Sequence, residues 1–304
     1  MKMQKLFFRI LCAIFVIIVH NAKGQNIPVS YPFDSTKTYV IVLIDGAEFV
    51  GNFLQKDSST FIIKTSLIPK IDIPINKIKS IEEVKPFNMK KGAYWFTNPN
   101  PGRYLFGPSA YNLKAGEGYY QNTYLFLNSF NVGLTDNISF GGGLEFISTF
   151  TSIANGNLNP IFYVTPKVGF KVAENVNVGA GVLYLSAPYS STKRTSMGVT
   201  YGVGTLGSTN DNITFGMGWG FVDGTFSNKP FLTVSGMTRV AKKTALVTEN
   251  WFVPSNDGTY YTLISYGIRF FGEKISVDLA FLNNKDIATI FFIGIPYVDF
   301  VVKF

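Results

Sequence analysis

The sequence predicts an all-β protein in which a twelve-stranded antiparallel barrel follows a small five-stranded β-domain. Three observations carry this. From Gly102 onward, short segments of alternating apolar and polar residues are separated by turns of two distinct lengths. Hydrophobicity is dispersed: aromatic residues make up 16% of the 304-residue chain and glycine counts 29, yet the mean hydropathy is only +0.18. The chain also ends on a strand: within Thr289 to Phe304, Phe292, Val298, Phe300, Val302 and Phe304 fall on one face and Tyr297, Asp299 and Lys303 on the other.

Residues 1–24 read as a secretory leader. Lys2, Lys5 and Arg9 precede the apolar run Ile10 to Val19, and Ala22-Lys23-Gly24 then offers small residues for cleavage. The run is shorter than the ~20 residues a spanning helix needs. Cys12 lies inside it rather than after it, which argues against a lipid anchor. Cleavage near Gly24 removes both Cys12 and His20, the one cysteine and the one histidine. Thiolate nucleophiles, disulfides, imidazole bases and histidine-held metals are then excluded, and no cofactor is expected. Four basic residues and no acidic one leave with the leader, so the net charge of +8 falls to +4. That excess is too mild to suggest nucleic acid.

Residues 25–85 read as the small β-domain. Strands are predicted at Tyr39 to Ile44, Glu48 to Gln55, Thr60 to Ser66, Lys70 to Ile75 and Ile78 to Val84, with Asp45-Gly46 and Lys56-Asp57-Ser58-Ser59 as turns. Five such strands suggest a small closed barrel. The pattern from Val42 to Gly51, an apolar strand, Asp-Gly and a second glycine five residues on, resembles SH3-like or Sm-like barrels. In the periplasm that resemblance implies contact with cell-wall peptides or envelope proteins; Lys64, Lys70, Lys77 and Lys79 read as a solvated face.

Residues 86–101 form a linker, because Asn98-Pro99-Asn100-Pro101 disallows regular structure. Its Tyr94-Trp95-Phe96 run fits either a membrane interface or packing against the small domain.

The barrel occupies 102–304, with strands predicted at 102–112, 119–134, 137–150, 160–173, 176–186, 195–207, 212–222, 230–241, 243–253, 259–271, 274–282 and 289–304. Short turns, such as Glu174-Asn175 and Lys242-Lys243, alternate with longer links, as membrane barrels require of their periplasmic and outer ends. Export together with dispersed hydrophobicity makes this a transmembrane barrel, the spanning structure that satisfies every backbone group without a helix. Stripes such as Ile213, Phe215, Met217, Trp219 and Phe221, or Ile275, Val277, Leu279 and Phe281, are expected to meet outer-membrane lipid.

The opposite faces carry Glu145, Lys167, Lys171, Arg239, Glu249, Arg269, Asp278 and Asp299, which must face the lumen. Four acids against four bases read either as a polar pore lining or as salt bridges filling a narrow lumen, and charges facing across a confined barrel favour pairing. Glycines on the same faces, Gly141, Gly143, Gly179, Gly181, Gly198, Gly202, Gly204, Gly216, Gly218 and Gly220, serve strong barrel curvature or leave room for the 93–118 segment, an inward-folded loop or a passing solute, and curvature plus an inserted segment is the reading favoured over an open channel.

Catalytic motifs do not survive their context. Gly202 to Gly207 matches a dinucleotide fingerprint but lacks a following helix, Ser190 to Lys193 matches S-x-x-K in a loop, and Asn210-Asp211 and Asn256-Asp257 are turn residues before they are calcium ligands. No enzyme activity is expected. The terminal strand, with Phe300 and Phe304 facing outward, resembles the C-terminal signal of bacterial outer-membrane barrels, which implies recognition by the barrel-assembly machinery. The run Asn98 to Ala110, followed by Gly116 to Asn122, is similar to the opening of outer-membrane barrel proteins common in Bacteroidota. That resemblance implies location and architecture and brings no functional residues. The expectation is an outer-membrane barrel, porin-like as a narrow or plugged pore for small polar solutes, with its small domain in the periplasm. The alternative is a membrane anchor presenting that domain to the cell wall or an envelope complex.

Overall fold

The computed structural model describes residues 32–304 apart from 66, 85–88, 91–92, 157–158, 191–192 and 256–257. The predicted leader, the middle of the Ser190 to Lys193 motif and Asn256-Asp257 lie outside the described residues. Two compact units are present, one ending at Thr97 and one running from Asn98 to Phe304.

The first unit is a five-stranded antiparallel sheet of β1 (Thr38–Leu43), β2 (Glu48–Lys56), β3 (Thr60–Lys64), β4 (Ile71–Pro74) and β5 (Ile78–Glu83), in which β1 to β4 form a meander and β5 returns to pair with β1, giving the order β4-β3-β2-β1-β5. A single 3-10 turn, Ile75–Lys77, links β4 to β5. Alternation along the strands drives Tyr39, Ile41, Phe61, Ile63, Ile73 and Ile81 into one core. Phe33 closes it edge-on against Phe61, ring centroids 4.8 Å apart. Gly51 is fixed by close approach, since a Cβ there would sit 2.4 Å from the Lys64 carbonyl oxygen. The ladder slips between Phe53 and Gln55 and bends the sheet. The five strands expected are all present, and among the described residues β4 and β5 are the edges of the sheet, with no ladder between them. Beyond it lie β6 (Met89–Lys90) and β7 (Ala93–Tyr94). Tyr94 and Phe96 are buried, which favours packing over the membrane-interface reading of the aromatic run.

The second unit is a closed antiparallel barrel of twelve strands. Its elements are β8 (Gly118–Thr123), β9 (Leu127–Gly133), β10 (Ile138–Glu145), α1 (Phe146–Ala154), β11 (Phe162–Val164), β12 (Lys167–Ala173), β13 (Val176–Pro188), β14 (Arg194–Gly207), β15 (Asp211–Val222), β16 (Thr225–Phe226), β17 (Phe231–Ala241), β18 (Thr244–Pro254), β19 (Tyr260–Phe271), β20 (Ile275–Asn283), α2 (Lys285–Ile290) and β21 (Ile295–Lys303). β11 and β12 share one crossing between β10 and β13, and β16 only folds back on β15. The ring closes where β21 pairs with β8, from Asp299 opposite Thr123 to Lys303 opposite Tyr119. Phe304 continues the seam, donating its N–H to Gly118 at 2.9 Å and accepting from it at 3.2 Å.

Polarity is inverted relative to a water-soluble barrel. Ile213, Phe215, Met217, Trp219, Leu279 and Phe300 are exposed on the outside, whereas Thr214, Arg239, Glu249, Arg269, Asp278 and Asp299 are buried inside. Among the described residues no helix is long and apolar enough to cross a membrane.

The strand count of twelve holds through two compensating differences. Residues 102–112 are not a strand, because Pro101 and Pro108 remove ladder donors and the segment folds into the lumen. The predicted 119–134 strand breaks into β8 and β9 at Tyr124 and Leu125, which both take positive φ, 54° and 70°. The ends of 137–150 and the start of 289–304 are helical, α1 and α2, so Phe292 lies outside the terminal strand. Gly198, Gly202 and Gly204 face outward rather than inward: they pair with the outward residues Phe221, Met217 and Phe215, and Val203 and Thr205 take the inner face.

Asp57 shapes the β2–β3 turn by accepting from the Ser59 and Thr60 N–H groups at 2.8 and 2.7 Å. These bonds, led by that of Ser59, hold its carboxyl below the ordinary range. A depressed carboxyl contributes stability above its unfolded pKa and loses it as pH falls through the folded one. Hydrogen exchange at Ser59 and Thr60, corrected for intrinsic rates, is expected to lose protection in Asp57→Ala at neutral pH, with the gap to wild type closing in strong acid. An unchanged gap would mean the carboxylate does not hold the turn.

Candidate functional site

The lumen is occupied by the chain's own residues 98–113. Asn98 starts the segment with a side-chain turn, accepting from the Asn100 N–H at 3.0 Å. Gly102 to Ser109 then make a tight hairpin, with Tyr104 N–H to the Gly107 carbonyl at 2.9 Å and Ser109 N–H to the Gly102 carbonyl at 3.1 Å. Leu105 and Phe106 form its tip. Both feet stand at the short-turn end of the barrel: the Asn98 amide donates to the Thr209 carbonyl at 2.7 Å, and the Ala115 N–H to Asp136 at 3.0 Å.

The barrel wall meets this hairpin with paired charges. Register puts Arg269 beside Asp278 across β19 and β20, and Asp278 beside Asp299 across β20 and β21. Arg269 grips Asp278 with both arms of its fork, Nε at 2.6 Å and Nη2 at 2.8 Å. Its remaining donors reach the Asn100, Arg103 and Tyr104 carbonyls at 3.1, 3.2 and 2.6 Å. Arg103, carried by the hairpin, supplies the second cation: it bonds Asp299 and lies 3.4 Å from Asp278. Two arginines and two aspartates therefore balance, one arginine from the wall and one from the hairpin. Asp299 also accepts from Gln121 at 2.6 Å, Thr123 at 3.1 Å and the Tyr297 hydroxyl at 3.1 Å.

Glu249 is neutralised differently. Its Oε2 accepts from three successive backbone N–H groups, Leu105, Phe106 and Gly107, at 2.8, 3.0 and 2.8 Å. Trp251 donates its indole N–H to Oε1 at 2.7 Å. The hairpin tip is thus an anion cradle closed on a carboxylate of the wall. Gly107 permits the approach, since a Cβ there would lie 3.2 Å from the carboxyl carbon.

Elsewhere the contacts run around the ring. Tyr104 donates to Asn212 at 2.6 Å, Ala110 N–H reaches Thr205 at 2.8 Å and the Tyr111 hydroxyl reaches the Gly207 carbonyl at 2.7 Å. The Lys167 ammonium donates to the Gly102 and Tyr111 carbonyls. The segment also runs close to the wall at Gly169, where a Cβ would fall 2.7 Å from the Ala110 oxygen.

Of the eight charged residues singled out in the sequence, Lys167, Glu249, Arg269, Asp278 and Asp299 hold the hairpin. Arg239 is buried nearer the short turns, bonded to Asn210 at 2.9 Å and stacked over Phe271. Glu145 does not join a lumen ion pair: it caps α1, accepting from Ile147 and Ser148 at 2.8 and 2.6 Å. Lys171 shares the inward parity of Lys167 but stands exposed at the short-turn rim. Arg103 was missed because it fell in a segment read as a strand, although prolines at 99, 101 and 108 argued against one. At the other end, a cavity of about 650 Å³ opens between α1 and the strand ends, lined by Glu145, Ser148, Thr151, Ser152, Asn155 and Asn159 among others.

No family model matches the chain, and no curated protein matches it. Solved barrels overlap it loosely. A KdgM porin in complex with disordered oligogalacturonate is 7% identical, with TM-score 0.40, over 62% of this chain and 95% of that one. A NanC porin is 10% identical, with TM-score 0.37, over 62% and 96%. OmpT, an outer membrane protein of Vibrio cholerae, is 13% identical, with TM-score 0.32, over 88% and 95%. Overlap this loose carries no functional argument.

Proposed function

We propose that this chain is an outer-membrane barrel of the Bacteroidota type, closed at rest by its own residues 98–113 and serving to anchor an SH3/Sm-like domain on the periplasmic side. The observation that carries the reading is the double commitment of the hairpin: Arg103 completes the Asp278–Asp299 pair while the Leu105 to Gly107 N–H groups satisfy Glu249. A lumen left open would not need buried carboxylates neutralised by a loop. The inverted polarity supports a lipid setting. The short-turn end, where Asn98 and Ala115 are tied, corresponds to the periplasmic end of such barrels, which supports a periplasmic setting for the residues that precede Asn98. The return of the last strand to pair with the first, and the 3-10 turn before it, support the SH3/Sm-like reading. The charge pairing favours an anchor at rest, and a pore is the second reading, reached when the hairpin leaves.

In planar bilayers the inserted wild-type protein is expected to be silent, while Arg103→Ala combined with Glu249→Gln opens stepwise conductance. Equal conductance in both would make it a constitutive channel and end the plugged reading. Arg269→Leu leaves Asp278 and Asp299 with Arg103 alone. Breaking a buried pair this way is expected to cost about 3–5 kcal/mol, read as a lower urea midpoint for barrel unfolding in detergent. Deleting residues 32–97 is expected to leave insertion intact while abolishing co-purification of cell-wall or envelope partners. Retained partners would remove the presenting role from the domain.

A further inference from the structure

The barrel wall is uneven in height, and the low side is where the apolar surface continues beyond the strands. β8, β9 and β10 have 6, 7 and 8 residues, whereas β13, β14 and β15 have 13, 14 and 12. At ~3.3 Å per residue and a tilt of ~40°, six residues rise about 15 Å, well short of the ~25 Å apolar band of such barrels. A wall this low leaves its upper connections at a depth that lipid would occupy.

Those connections are apolar and exposed. Between β8 and β9, Leu125 is 85% exposed and, with Tyr124, adopts the left-handed turn conformation that Asn-Gly would fill at no steric cost. A bulky apolar side chain held outward at such a position is a strained choice for water. On one flank, α2 runs into Ile290, Phe291, Phe292 and Ile293, all exposed, Phe292 by 87%. On the other flank, α1 is two-sided: Ser148, Thr151, Ser152 and Asn155 line the mouth cavity, while Phe146, Phe150 and Ile153, at helical spacing and exposed, extend the outward stripe of Ile138, Phe140 and Leu144. The three pieces adjoin one another. The Phe146 N–H donates to the Phe126 carbonyl at 2.9 Å, and the Tyr124 hydroxyl to the Pro296 carbonyl at 2.9 Å. Residues 124–127, 146–154 and 290–295 contain no charge, Lys285 and Asp286 standing at the start of α2, whereas the connections above the tall side carry Lys193, Asp223 and Lys229.

We infer that this lip, made of α1, the β8–β9 tip and residues 290–293, is seated among the acyl chains of the outer leaflet and completes the apolar belt where the wall is low. The inference rests on the outer-membrane reading. α1 then lies at the membrane interface, with its hydroxyl face toward the mouth and its aromatic face in lipid. The occupant is lipid rather than a second protein because the surface continues the outward strand stripe without a break in chemistry.

The test is depth-resolved quenching in the full chain carrying Cys12→Ser. Leu125→Cys, Phe150→Cys and Phe292→Cys, each labelled with an environment-sensitive fluorophore, are compared with Leu279→Cys on the outward face of β20. In phosphatidylcholine vesicles with brominated acyl chains, all four labels are expected to be quenched by the lipid and spared by aqueous iodide. Quenching of the Leu279 label alone, with the other three open to iodide, would overturn the inference and leave the barrel reading standing. Shielding of the three from both quenchers would overturn it in favour of a protein contact. An unquenched Leu279 label would remove the membrane reading itself.

Discussion

Three inward carboxylates, an adjacent pair on β20 and β21 and a third on β18, constrain everything else in the barrel. Asp278 and Asp299 stand directly opposite each other across β20 and β21, and Glu249 is buried two strands away from Asp278. The wall offers them one close cation, Arg269. Like charges this near, out of water, cannot remain uncompensated. The hairpin of 102–109 resolves the excess with Arg103 for the aspartates and three backbone N–H groups for Glu249.

That solution binds position more than it adds stability. Buried ion pairs roughly break even against apolar packing, so the gain lies in specifying one seat for the hairpin. Arg269 shows how: the same guanidinium that forks onto Asp278 also reads the carbonyls of Asn100, Arg103 and Tyr104. The hairpin and the wall are thus parts of a single polar core, enclosed by a shell whose outer surface is apolar. Tyr297 and Asp299 place this core on the strand that also closes the ring, so sealing the barrel and seating the hairpin draw on the same nine residues, Ile295–Lys303.

Uneven strand lengths give the shell a direction. The low wall from β20 to β10 ends in the apolar β8–β9 tip, α1 and residues 290–293, with Lys285 and Asp286 confined to the start of α2, and the tall wall from β13 to β15 ends in connections carrying Lys193, Asp223 and Lys229. Tyr124 and Leu125 mark the change sharply, because two side chains at positive φ make a short, tight turn in place of a long loop.

The alternation of Ile213 to Phe221 and of Ile275 to Phe281, together with turn spacing, determined by itself that this is a barrel, which face is apolar, and that Glu249, Arg269, Asp278 and Asp299 point inward. Those are local properties, fixed by the two-residue period of a strand. Glycine faces were legible only where the neighbouring strand's parity was right, and at Gly198, Gly202 and Gly204 it was not. Tertiary structure alone decided that Arg103 enters the lumen, that residues 102–112 are not a strand, and that Glu145 caps a helix. Each of those depends on partners more than a hundred residues away or on a turn without a sequence signature: Arg103 meets Asp299 across 196 positions, a pairing no local period records.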